Sequence, residues 1–184
     1  GCTGPSPSEA LPPRLRPVEP PRSALRCAVR RAGASGAGHF ELAWAGPAAG
    51  HPDAPLLDLL GWCLVDSIDW GTAGQDLQVD LWLPREPGLL ELSGSREPDQ
   101  LEKAAEELAR AAATLRHRPV EREVLDLARS ALLGERRLEL LDVSARARRL
   151  GEAVSLAGDP GIEARWVRRL KAAQPAALRA AARR

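Results

Sequence analysis

The sequence predicts an α+β domain: a roughly four-stranded, mainly antiparallel sheet packed in two layers against helices, with a helical C-terminal half. Two observations carry this. Between residues 25 and 93 apolar residues alternate with polar ones in four short runs, the period of a half-buried strand. From residue 98 onward apolar residues recur at three- and four-residue steps, the period of an amphipathic helix.

Residues 1–23 hold seven prolines among Ser, Glu and Arg. Such a stretch has little to bury and resists helix and inner strand alike, so it reads as a Pro-rich tether, with the domain following over 24–184. Leu25, Cys27 and Val29 alternate with Arg26, Ala28 and Arg30, a first strand. The Gly33–Gly38 run is a flexible turn into a second, antiparallel strand in which Phe40, Leu42 and Trp44 alternate with His39, Glu41 and Ala43. Gly46, Pro47 and Gly50 end that strand. A helix is then expected over about 53–65, with Leu56, Leu57, Leu60 and Leu64 on the face toward the sheet. After breakers at Gly71 and Gly74, Leu77, Val79, Leu81 and Leu83 mark a third strand, which leaves Trp82 on its polar face. The Pro84–Gly88 turn leads to a fourth strand over 89–93.

Pro98 is placed as a first helical residue, with Leu101, Ala105, Leu108, Ala112 and Leu115 as the apolar stripe. Pro119 opens a second long helix, whose expected stripe is Val124, Leu127, Ala131 and Leu138. The pattern resets at Asp142-Val143-Ser144, with Ala147, Leu150, Val154 and Ala157 as the next stripe, and Gly158-Asp159-Pro160 stops it. Ile162, Trp166 and Leu170 mark a short helix, and Pro175 begins the last.

Composition limits the function classes. The 184 residues suit one well-buried domain, 44% hydrophobic and 28% charged. A net charge of +1 supplies no field to attract a polyanion, and no basic run is interleaved with aromatics, so no nucleic-acid partner is expected. No apolar run approaches the roughly 20 residues that span a bilayer. Arg supplies all the basic residues except Lys103 and Lys171, which together with abundant Ala and Leu suggests a GC-rich bacterial source. With no Met in the sequence, the chain is expected to have been processed or trimmed at its start.

The three cysteines, Cys2, Cys27 and Cys63, are too widely spaced for a metal knuckle. Cys27 and Cys63 read as small buried apolar residues. Gly1-Cys2 before a Ser/Pro-rich stretch has the form of a bacterial lipoprotein junction, so Cys2 is a candidate lipidation site and membrane tether. Lipidation would place the protein in the cell envelope; without it the expectation is cytoplasmic. The other reading of Cys2 is an unmodified residue near a chain boundary.

The phrases GPAAGHPDAPLLDLLG, REPGLLELSGS, PVEREVLDLARSALLGE and ARARRLGEAVSLAGDP, then the Ala-rich end after Pro175, follow one another in an order that resembles a half-domain of the pitrilysin/insulinase family of zinc metallopeptidases. The likeness extends over roughly residues 22–184 and is to the non-catalytic, C-terminal-type half. The resemblance implies two halves that close around an extended peptide. The catalytic half would carry an inverted His-x-x-Glu-His motif, in which two imidazoles and a carboxylate hold zinc and the motif glutamate takes the water's proton.

This chain departs from that pattern. It has only His39, His51 and His117, no two within one helical turn of each other. No catalytic or metal-ligating residue therefore carries across, and zinc is expected only in a partner half. The implied partner is such a zinc-bearing subunit, or a second copy of the chain, with an extended peptide between the halves. The interval Val65–Asp76 also lacks the Arg and Tyr with which the family's non-catalytic half helps hold substrate. A separate expectation from the same resemblance is a structural assembly subunit with no peptide-processing role. Trp62, Trp70 and Trp82 cluster in sequence around the shortened interval, as space-fillers or as a surface for a partner or peptide. Asp66, Asp69 and Ser67 read as loop caps, because no histidine or metal partner stands near them.

Overall fold

The computed structural model describes residues 38–66 and 77–184. The expected tether, the strand over 25–31, Cys2, Cys27 and Trp70 lie outside the described residues.

Three strands are described: β1 (Gly38–Ala45), β2 (Gln78–Trp82) and β3 (Leu89–Arg96). They form an antiparallel sheet in the order β1-β3-β2, with Leu42 opposite Leu92 and Leu92 opposite Val79. Alternation sends Phe40, Leu42, Leu90, Leu92, Val79 and Leu81 to one face. These side chains pack against Leu64 of α1 (Ala54–Asp66) and Ala104 and Leu108 of α2 (Leu101–Leu115). Gly61 is what lets α1 lie so close to the strands: a Cβ there would stand 2.6 Å from Cγ1 of Val79.

The helical half consists of α3 (Arg122–Glu139), α4 (Val143–Ala157), α5 (Ile162–Ala172) and α6 (Pro175–Arg183). The α3, α5 and α6 helices cover the side of α1 away from the sheet. Leu56, Leu59, Leu60 and Cys63 there meet Leu125, Ala128, Leu132, Trp166, Leu170 and Leu178. The helical layer is thus two deep at α1, which is buried almost all round. Cys63 is fully buried, and that burial pushes its thiol up to about 12.

Helix ends and phases depart from expectation in four places. Pro98 sits in a turn, closed by the Gln100 N–H donating to the Glu97 carbonyl at 2.9 Å, and α2 begins at Leu101. Pro119 likewise precedes α3 by three residues, while buried Val120 anchors the approach. The core face of α3 is Leu125, Ala128, Leu132 and Arg136, whereas Leu127 and Leu138 are 62% and 69% exposed. Charge misled the reading here, because Arg136 is buried and no stripe of apolar letters includes it. On α4 only Ala145 and Ala153 are buried; Leu150 and Val154 are each more than half exposed. The reset itself is where it was expected: the Asp142 side chain accepts from the Ser144 and Ala145 N–H groups, and Gly158 closes the helix at φ 69°.

Candidate functional site

The face of the sheet turned away from α1 is the surface on which polar chemistry collects. It carries His39, Glu41, Ala43 and Ala45 from β1, Gln78, Asp80 and Trp82 from β2, and Leu89, Glu91, Ser93 and Ser95 from β3. Register explains its electrostatics. Glu91, on the central strand, stands directly opposite Asp80 and one pair along from Glu41, which faces Ser93. Partial desolvation, then the charge and hydrogen bond of Glu41 and the charge of Asp80, raise the Glu91 carboxyl above its ordinary range. Glu91 thus has one acid near it on each neighbouring strand, which makes this stretch of the face negatively charged.

That arrangement has a pH signature. A carboxyl raised in the folded state binds more protons there than in the unfolded chain, so stability falls as pH rises from the ordinary glutamate range through the raised value. Glu91→Gln removes the repulsion. The variant is expected to lose less stability between pH 4 and pH 7 than the parent, read as urea midpoints across that range. Parallel pH profiles would show that the three acids do not interact.

The residues singled out from sequence are placed as follows. Trp82 is 61% exposed on the open face, as its position on the strand requires. Trp62 is half-buried on α1, where it packs against the core and lines a cleft of about 310 Å³ along β2 with Val65, Leu77, Gln78, Val79 and Asp80. Trp62 and Trp82 are therefore not brought together on one surface, and Trp70 is outside the described residues. Asp66 is exposed at the end of α1. His39 lies on β1 and His117 beyond α2, both exposed; His51 sits before α1, where its Nδ1 accepts the Asp53 N–H at 3.1 Å. Among the described residues no three His, Cys, Asp or Glu side chains form a group that could hold a metal ion.

Sequence reasoning missed a buried cluster. Arg136 donates through Nη1 to both oxygens of Glu163 (3.0 and 3.1 Å) and through Nη2 to Asp58 (3.1 Å), and its guanidinium lies 4.6 Å from the Trp166 ring centre. Burial pushes the Asp58 carboxyl upward, with Arg136 opposing it. The cluster ties α1, α3 and α5 together. An Asp inside the apolar LLDLL run of α1 was the available signal, because a charge at such a position needs a partner.

No protein-family model and no curated protein matches the sequence. Solved structures do match. An inactive peptidase domain of a putative zinc protease from Bordetella parapertussis is 24% identical, with a TM-score of 0.68 over 85% of this chain and 89% of that one. A putative zinc protease from Bordetella pertussis is 26% identical, with a TM-score of 0.62 over 79% and 85%. A peptidase M16 inactive domain from Pseudomonas fluorescens is 15% identical, with a TM-score of 0.65 over 79% of this chain. The chain has the fold of a non-catalytic half-domain of the pitrilysin/insulinase family. This half-domain corresponds to 37% of the Pseudomonas chain, and equally to 37% of a protease from Helicobacter pylori at TM-score 0.68, so the fold recurs there as one part of a longer chain. In the half-domain described here the acidic sheet face is bare among the described residues, while every amphipathic helix that packs on the sheet lies on the other side.

Proposed function

We propose that the chain is a catalytically inert, peptidase-like half that pairs with a zinc-bearing half and supplies one wall of a peptide-binding chamber. The observation that carries this reading is the open sheet face, with Glu41, Asp80 and Glu91 set beside exposed Trp82 and Leu89 and, among the described residues, no helix over them. Acids at strand spacing suit an extended peptide with basic side chains. Among the described residues β2 pairs with β3 alone, so its outer edge can add a peptide strand by backbone hydrogen bonds. Zinc and the water-activating glutamate belong to the partner half in this reading.

The test is to purify the chain, measure bound zinc and peptidase turnover, and repeat both with a candidate zinc-bearing half. Turnover that appears only with the pair, and falls when Glu41, Asp80 and Glu91 are changed to their amides, is the expected result. Turnover or stoichiometric zinc in the chain alone defeats the proposal. A second reading, a structural assembly subunit, is favoured by the apolar residues that α4 and its approach leave in water, chiefly Leu141, Val143, Leu150 and Val154. Stable assembly with no turnover is its distinguishing outcome.

A further inference from the structure

A cleft of about 430 Å³ lies between the loop before α1 and one face of α5. Pro52, Pro55 and Trp166 give it apolar walls, and Arg168 and Arg169 line it with no carboxylate among the lining residues. The nearby acids are already committed. Glu163, the sole acid of α5, is held by Arg136; Asp53 accepts from Nε of Arg184 at 2.6 Å; Asp159 is paired with Arg165. Arg168 and Arg169 are thus exposed guanidinium groups for which no carboxylate among the described residues supplies a counter-charge. Trp166, only 7% exposed and stacked on Arg136, is held in place as a wall, and its Nε1 has no acceptor among the described groups.

We propose that this cleft binds an acidic peptide segment of a partner protein, with carboxylates on Arg168 and Arg169 and an adjoining apolar side chain between the prolines and Trp166. Guanidinium pairs take carboxylate and phosphate alike. The apolar walls decide for peptide, because a ligand here must carry a hydrocarbon group beside its anion. The net charge of +1 gives no wider field to gather a polyanion. The inference is independent of the chamber reading, since its assay contains no zinc, no second half and no substrate turnover.

The whole 184-residue chain would be titrated into three fluorescein-labelled probes: a decapeptide of alternating Glu and Leu, the same peptide with Gln for Glu, and a single-stranded oligonucleotide of equal charge. Expected are saturable binding of the Glu peptide, at least tenfold weaker binding of the Gln peptide, and weakening with added salt. Both arginines are exposed, so an Arg168→Ser/Arg169→Ser protein should keep its circular dichroism and melting temperature while losing at least tenfold in affinity for the Glu peptide. Equal binding of the Glu and Gln peptides, unchanged affinity in the double variant, or no binding at millimolar protein overturns the proposal. Tighter binding of the oligonucleotide overturns it in favour of a phosphate site.

Discussion

Arg136→Met should lower stability by about 3–5 kcal/mol, the range for removing one partner of a buried ion pair. For a chain of this size that is a fall of roughly 6–20 °C in melting temperature. The loss falls mainly on Asp58, which is 9% exposed and would be left without the guanidinium that now meets it. Glu163 is the more exposed of the two acids and regains water. The decisive comparison is the double variant Arg136→Met/Asp58→Leu. Replacing both charges with apolar groups of similar bulk removes the stranded acid, so the double variant should be more stable than Arg136→Met alone. If the single change costs less than ~1 kcal/mol, the cluster is not what joins α1 to α3 and α5.

Leu59→Ala should cost about 2–5 kcal/mol, as for other fully buried leucines. Leu59 is inaccessible to solvent and belongs to the cluster formed with α3, α5 and α6. Leu57→Ala, two residues away and only half-buried, should cost clearly less. Denaturant midpoints of the two variants make the comparison. Equal losses would mean that Leu59 is no more tightly packed than half-buried Leu57.

The same pair shows where the sequence was legible and where it was not. The stripe Leu56, Leu57, Leu60, Leu64 assumes one buried face, the ordinary case for a surface helix. A helix between two layers has no single face to find, and Leu59 and Asp58 are invisible to a one-sided template, whereas Cys63 was legible as a small buried residue by its type. Strands β1, β2 and β3 were legible because each has one wet face, so Glu41, Asp80 and Glu91 mark it by alternation. Their order was not, since β1 pairs with β3 across some 50 intervening residues and nothing local specifies that partner. The acidic face needed register as well as alternation: Glu91 becomes unusual only once Asp80 is known to stand opposite. Arg136, 78 residues from Asp58, could be suspected from an acid in an apolar run but not located. On α4 the apolar letters were read as core, yet helical period says only that two faces differ, not which one is covered.

The double coverage of α1 also governs how the molecule comes apart. The sheet side and the bundle side share one partition, so neither cluster keeps its contacts once that partition moves. The two clusters should therefore be lost together, with slow-exchanging amides on β3 and on α5 losing protection at once, while α4, whose buried residues are two alanines, opens on its own well before them.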